Sequence, residues 1–241
     1  FEQLYRSMHH YFRARSFALK NPEFPLIAIV FPTQQSYLRF AQQNGRRVSS
    51  STLGYYDPES NRIQMFDITA NRENFADWYT NAETIIHEAA HQTAFNVGIH
   101  NRFAVTPRWL IEGLGTLFEA PGVWDSHAHP DATQRVNRAQ LEYYRKRVNT
   151  RNSLELLSMQ LTSDKVFQRD ASLAYAHAWA LTFYLTENLP RPYANYMRHT
   201  ASRQAFVDYP SEERLKDFTR FFGTDLKMFD ARLQRFISEV K

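Results

Sequence analysis

Apolar residues in the first third of the chain fall in short runs between turn-forming clusters. From Ala76 onward they recur every three to four positions. Leu4 to Phe17 reads as an amphipathic helix with His9, His10 and several arginines on its polar side. Leu26 to Phe31, framed by Pro25 and Pro32, reads as a buried strand, and Thr33 can cap a helix running to Gln43 and stopped by Asn44-Gly45. Ser51 to Tyr56 and Arg62 to Asp67 flank the turn Asp57-Pro58-Glu59-Ser60-Asn61, which predicts a hairpin. Helices are predicted over 76–97, 107–119, 131–149, 153–160, 171–188, 192–203, 211–222 and 224–239. No repeat or low-complexity linker divides the chain. The pattern therefore predicts one α+β domain over 1–241, with a small strand-bearing part (1–75) carrying a mixed sheet and hairpin, packed on a helical part (76–241).

Composition narrows the chemistry. With 43% hydrophobic and 22% charged residues the chain can bury a core, and no apolar run approaches the length of a membrane span. Cysteine is absent, which removes disulfides, thiolate metal sites and cysteine nucleophiles. The net charge of +4 is spread over scattered Lys and Arg, so a nucleic-acid partner is not expected, and none of the 7 glycines builds a nucleotide-binding loop. Phe1-Glu2-Gln3 does not open a signal peptide, and the missing Met leads us to expect residues removed upstream.

His87-Glu88-Ala89-Ala90-His91 is the pattern H-E-x-x-H inside a predicted helix. Histidines four residues apart project from one helical face and can reach one metal ion. The intervening Glu88 points about 100° away and can address a water on that ion without ligating it. A catalytic zinc needs a third ligand. Ala94 and Val97 stand where a metzincin needs Gly and His, which excludes that class. The segment Trp109-Leu110-Ile111-Glu112-Gly113 supplies a carboxylate on a helix begun by Thr106-Pro107. On the residues alone, two readings of Glu112 stand: a metal ligand, or a side chain that caps its helix or pairs with an arginine. Gly113 and Gly115 each weaken that helix by about 1 kcal/mol against Ala, which is tolerable where close approach at the metal is gained.

Residues 84–120, with His87-Glu-Ala-Ala-His91-Gln92, Asn96, Trp109-Leu110-x-Glu112-Gly113-Leu114 and Glu119, resemble the gluzincin aminopeptidases. The resemblance is closer still to a gluzincin-like family of bacterial proteins of unknown function. It implies a zincin fold, Zn2+ held by His87, His91 and Glu112, Glu88 as general base, and Glu119 and Asn96 in supporting positions. The chain departs from the aminopeptidases in a longer gap between His91 and Glu112, in Phe95 before Asn96, and in lacking a G-A-M-E-N-like segment, since Asn71-Arg72-Glu73-Asn74 is not one.

The resemblance also implies an oxyanion-stabilising residue some way past Glu112. Ala174-Tyr175-Ala176-His177 stands there, with Tyr175 as the first candidate and His177 as the second. His127-Ala128-His129-Pro130, flanked by Asp125 and Asp131, reads as a solvated loop or as a weak second metal site. The expected function is zinc-dependent hydrolysis of a peptide or protein substrate, with Ile63 to Asp67 as an open edge for the peptide. The alternative is a zinc-holding domain that binds peptide or glycan without cleaving it. Family habit and the lack of cysteine point to a secreted or periplasmic location.

Overall fold

The computed structural model describes residues 1–50, 52–67, 75–149 and 151–241, with 75–81 as backbone alone. It is 61% helical with one three-stranded mixed sheet, the α+β arrangement expected from the periodicity. Helix α1 (Glu2–Ala14) buries Leu4, Met8, Tyr11 and Phe12 along one stripe and ends sooner than predicted, where Ser16 takes a positive φ of 63°. His9 and His10 lie off that stripe.

Strand β1 (Ile27–Phe31) is followed by α2 (Gln34–Gln43), which Thr33 and Ser36 cap reciprocally and which stops at Asn44 before Gly45 at φ 71°. Strands β2 (Gly54–Asp57) and β3 (Arg62–Phe66) form the hairpin, and the Asp57 carboxylate accepts the Ser60 N–H and hydroxyl in its turn. The predicted strand start at Ser51 lies outside the described residues, as does the segment Asn71 to Asn74.

The strand order is β1-β3-β2, with β1 parallel and β2 antiparallel to β3. This order corrects two expectations. β1 is an edge strand rather than a buried one, with Ile27 45% and Val30 56% exposed, because only β3 covers one of its sides. Nor does β3 offer a free edge, since its backbone is paired on both sides. The free edge that faces the helical part belongs to β2.

Helices α3 (Phe75–Asn96) and α4 (Arg108–Phe118) carry the candidate site. The short α5 (Pro121–Trp124) and a 3-10 turn (Ala132–Arg135) lead into α6 (Arg138–Arg147). The single helix predicted over 131–149 is therefore interrupted, because Asn137 leaves helical geometry to cap α6 through the Gln140 N–H. α7 (Ser153–Thr162), α8 (Lys165–Arg169), α9 (Ala171–Asn188), α10 (Pro190–Ala201), α11 (Ser211–Phe222) and α12 (Leu226–Glu239) complete the helical part. Neither α5 nor α8 was predicted; both are only about one turn long, too short for a periodic signal.

α9 is the central helix, with twelve buried side chains and no polar face, and α4 packs along it. A Cβ on Gly113 would come within 2.2 Å of Thr182 Oγ1 and 2.5 Å of the Ala178 carbonyl oxygen, so this glycine permits the α4–α9 contact. Trp109 stacks on Tyr196 at 6.0 Å and meets Phe218 edge-on, tying α4 to α10 and α11. One buried hydrophobic cluster runs from Leu4 to Ile237. Among the described residues no helix is long and apolar enough to cross a membrane.

Candidate metal centre

The i, i+4 spacing on α3 brings the rings of His87 and His91 to 4.5 Å, nearly perpendicular, with their Nε2 atoms 2.9 Å apart. Glu112 reaches the pair from α4: its Oε2 lies 3.4 Å from His87 Nε2 and 3.3 Å from His91 Nε2. A tetrahedral zinc with bonds of about 2.0–2.1 Å separates neighbouring donors by about 3.3 Å, so this donor set has the spacing and the N, N, O chemistry that such an ion takes. Among the described residues these three are the one group of His and acidic side chains assembled closely enough to hold a metal.

The acidic partners also set the charge of these groups. Burial by itself would lower the His87 pKa, but hydrogen bonds to Glu112 and Glu119 outweigh it and hold the imidazole well above its ordinary value. Burial would likewise raise Glu112, yet His87 and His91 hold its carboxyl well below the ordinary range. Two carboxylates thus flank the His87 ring, Glu112 on Nε2 and Glu119 on Nδ1. Glu112 makes the arginine pairing, its Oε1 accepting the Arg108 Nε–H at 3.1 Å, while its Oε2 faces the two histidines.

A carboxylate and an amide fix the His87 ring. His87 Nδ1 lies 2.7 Å from Glu119 Oε1, the arrangement that sets the tautomer of a ligating histidine. Asn137 Nδ2 donates to Glu119 Oε2 at 2.7 Å and to the Thr116 carbonyl at 2.9 Å. The interruption before α6 therefore puts this amide against Glu119. A Cβ on Gly115 would stand 2.6 Å from His87 Cε1, so the second glycine of α4 makes room for the ring.

Glu88 sits beside the histidines and accepts the Tyr56 backbone N–H from β2 at 2.5 Å. Burial raises its pKa, against the opposing pull of His87, His91 and that N–H. Asn96 hydrogen-bonds none of His87, His91 and Glu112. It exchanges amide hydrogen bonds with Asn61 at 2.9 and 2.7 Å, and Asn61 Oδ1 also accepts the Tyr56 hydroxyl, so Asn96 holds the hairpin that carries Tyr56. Gln92 pins the same side chain row to the sheet, donating to the carbonyls of Ile27 and Asn61.

Tyr175, from α9, lies with its ring 6.2 Å from that of His87 and edge-on to Phe167. Burial raises its pKa, and its hydroxyl interacts with Glu112 and Arg108. Arg108 in turn lies over the Phe167 ring at 4.7 Å. His177, two positions on, turns instead to α6, where it stacks on Tyr144; it is fully buried, both ring nitrogens lack partners, and burial pushes its pKa down to about 3. The geometry sets Tyr175 rather than His177 beside His87 and Glu112. In the His127–His129 loop, His129 pairs with Gln134 and Asp131 caps the following turn, and among the described residues no second metal group forms there.

A cleft of 440 Å3 opens over the site between Leu53 and Gly54 on one side and Asn137, Gln140 and Tyr175 on the other, with His87, Glu88 and Glu119 in its wall. Tyr56, Arg108 and Asn137 also take part in this arrangement, although the sequence motif does not mark them. Of these, Arg108 alone carried a local signal, standing four residues before Glu112 on one helix face.

Residues 81–207, just over half of the chain, match the family DUF1570, described as "Protein of unknown function", and the chain belongs to that family. The matched span contains every side chain of the centre except the hairpin residues that meet Glu88. No curated protein and no solved structure matches the chain.

Proposed function

We propose that this DUF1570 member is a zinc-dependent metallopeptidase of gluzincin type. The observation that carries the proposal is the convergence of His87, His91 and Glu112 donors at zinc spacing, with the partly buried carboxylate of Glu88 beside them under an open cleft. Three protein donors leave room for water and substrate, as catalytic sites do. When bound, zinc supplies Lewis acidity and brings the pKa of a water from about 15.7 towards about 7.

The remaining work falls to the chain. Glu88, with one oxygen held by Tyr56 and its pKa raised by burial, takes a proton from the attacking water and passes it to the leaving amine. Tyr175, kept protonated by burial, donates to the oxygen that gains charge as the amide carbonyl becomes tetrahedral. Arg108 holds Glu112 and adds positive charge on the Tyr175 side. Glu119 and Asn137 keep His87 oriented. An extended peptide lies along the free edge of β2, where Leu53 and Gly54 line the cleft.

The test combines metal analysis of protein purified without added zinc with cleavage of a broad peptide library. One zinc per chain, and cleavage that stops with a chelator or in Glu88→Gln while the metal stays bound, are expected. Protein without metal, or a Glu88→Gln variant with undiminished activity, would overturn the proposal. Stoichiometric zinc without cleavage would point to the peptide- or glycan-binding alternative.

A further inference from the structure

Glu88, Gln92 and Asn96 stand four residues apart on α3, so they follow one another a turn apart along one side of the helix, in the row next to His87 and His91. All three bond the β2–β3 hairpin. Glu88 Oε2 accepts the Tyr56 N–H at 2.5 Å, Gln92 Nε2 donates to the Asn61 carbonyl at 2.9 Å, and Asn96 exchanges amide hydrogen bonds with the Asn61 side chain. The second N–H of Asn96 goes to the Gln92 carbonyl at 2.7 Å and that of Gln92 to the Ile27 carbonyl on β1 at 3.0 Å, so both amide nitrogens are fully used.

The row converges on Asn61. This residue closes the hairpin turn at a φ of 57°, in the left-handed region that asparagine tolerates. Its Oδ1 accepts both the Asn96 amide, at 2.7 Å, and the Tyr56 hydroxyl, at 2.8 Å. One side chain thus ties the turn to α3 and to the ring of the residue whose N–H holds Glu88.

Packing alone does not call for this arrangement. Gln92 is 1% exposed, and an apolar side chain would fill the same space with no polar group to satisfy. A bonded amide contributes only about 0.5–1.5 kcal/mol net, and losing its partner costs about 1–3 kcal/mol. What the amides add is direction, because a fully satisfied polar network accepts one placement of the hairpin on the helix. Direction matters most at the end of the row that carries Glu88. A displacement of about 1 Å at a reacting group can cost about 100-fold in rate.

We propose that Asn61, Gln92 and Asn96 are positioning residues for Glu88: they fix the hairpin so that the Tyr56 N–H stays on one carboxylate oxygen and the carboxylate stays turned to the metal ligands. The consequence for turnover rests on the metallopeptidase reading above, whereas the hold on Tyr56 does not. Two variants of the whole chain test it. Asn61→Gly keeps a residue suited to the left-handed turn and removes the side chain; Gln92→Met keeps an unbranched side chain and removes the amide. Amide hydrogen exchange at Tyr56 reads the hold without any substrate. Its protection is expected to fall by at least about tenfold in both variants, while the amides that pair β2 with β3 keep theirs. On a peptide that the unmodified protein cleaves, kcat at saturating substrate is expected to fall about 10–100-fold with zinc content unchanged. Unchanged Tyr56 protection in both variants would overturn the proposal whatever the activity. So would loss of protection over the whole hairpin, the mark of a purely structural role, or an unchanged kcat once Tyr56 has lost its protection. Unmodified protein that holds zinc and cleaves nothing would overturn the metallopeptidase reading and the effect on turnover together, and the Tyr56 exchange rates would still decide the hold.

Discussion

Gly115 lies directly under the His87 ring, so close that a Cβ there would stand 2.6 Å from Cε1. Gly113, on the same helix, faces α9 instead, where a Cβ would meet Thr182 and the Ala178 backbone. On the proposed function, the two glycines therefore separate metal binding from folding. Gly115→Ala is expected to push His87 away from Glu119 and cut zinc affinity by about 10–100-fold, as lost support of a ligating histidine does, with little change in the unfolding midpoint. Gly113→Ala is expected to cost about 1–3 kcal/mol of stability by overpacking the α4–α9 contact. Competition with a zinc chelator and urea denaturation of both variants check the contrast.

Asn137 holds Glu119, which holds His87. Asn137→Ala is expected to lower zinc affinity about tenfold, and Asn137→Asp by more, since it sets a second carboxylate against Glu119. The cap on α6 accounts for a further loss of about 1 kcal/mol of stability in Asn137→Ala. Equal zinc affinity in all three proteins would show that Glu119 is positioned by other means.

On the proposed mechanism, Tyr175→Phe removes a hydroxyl that acts only once charge develops on the substrate. A fall in kcat of about 10²-fold is expected, with zinc content and KM nearly unchanged. A variant that loses zinc as well would mark Tyr175 as a support of Glu112 instead.

His177 is expected to make the protein acid-sensitive. Burial takes its pKa from 6.5 to about 3, so between those values the unfolded chain binds a proton that the folded chain does not. Stability is whole above the unfolded value and falls with falling pH by about 1.4 kcal/mol per pH unit from this residue. His177→Phe keeps a ring against Tyr144 and is expected to flatten the acid limb of stability by that slope. Urea midpoints measured from neutral pH down to about pH 5 decide it.

Much of this was legible along the chain. The boundaries of α9 and α11 match the predicted 171–188 and 211–222, because long apolar periodicity and flanking caps are local properties. The hairpin and the α2 cap followed from turn and capping chemistry in the same way. What misled was local too: Leu26 to Phe31 is apolar enough for a buried strand, but its place at the sheet edge depends on which strand inserts between β1 and β2. Asn137 interrupts a plausible helix by capping α6, and its amide nitrogen then meets Glu119 and the Thr116 carbonyl, partners distant in sequence.

The pairing of His87 with His91 needed nothing beyond the pitch of one helix, and the amino-acid order by itself determined it, together with the placing of Glu88 between them. Everything that turns this pair into a centre came from packing. Glu112, Glu119, Asn137, Tyr175 and the Tyr56 N–H converge from three other elements, α4, α9 and β2, and from the connections that follow α4 and precede α6, because α4 settles between α3 and α9 and the hairpin settles on α3. Such distant groups meet only after the apolar faces of those elements have chosen their partners, a choice that burial makes over the whole chain and no local window contains.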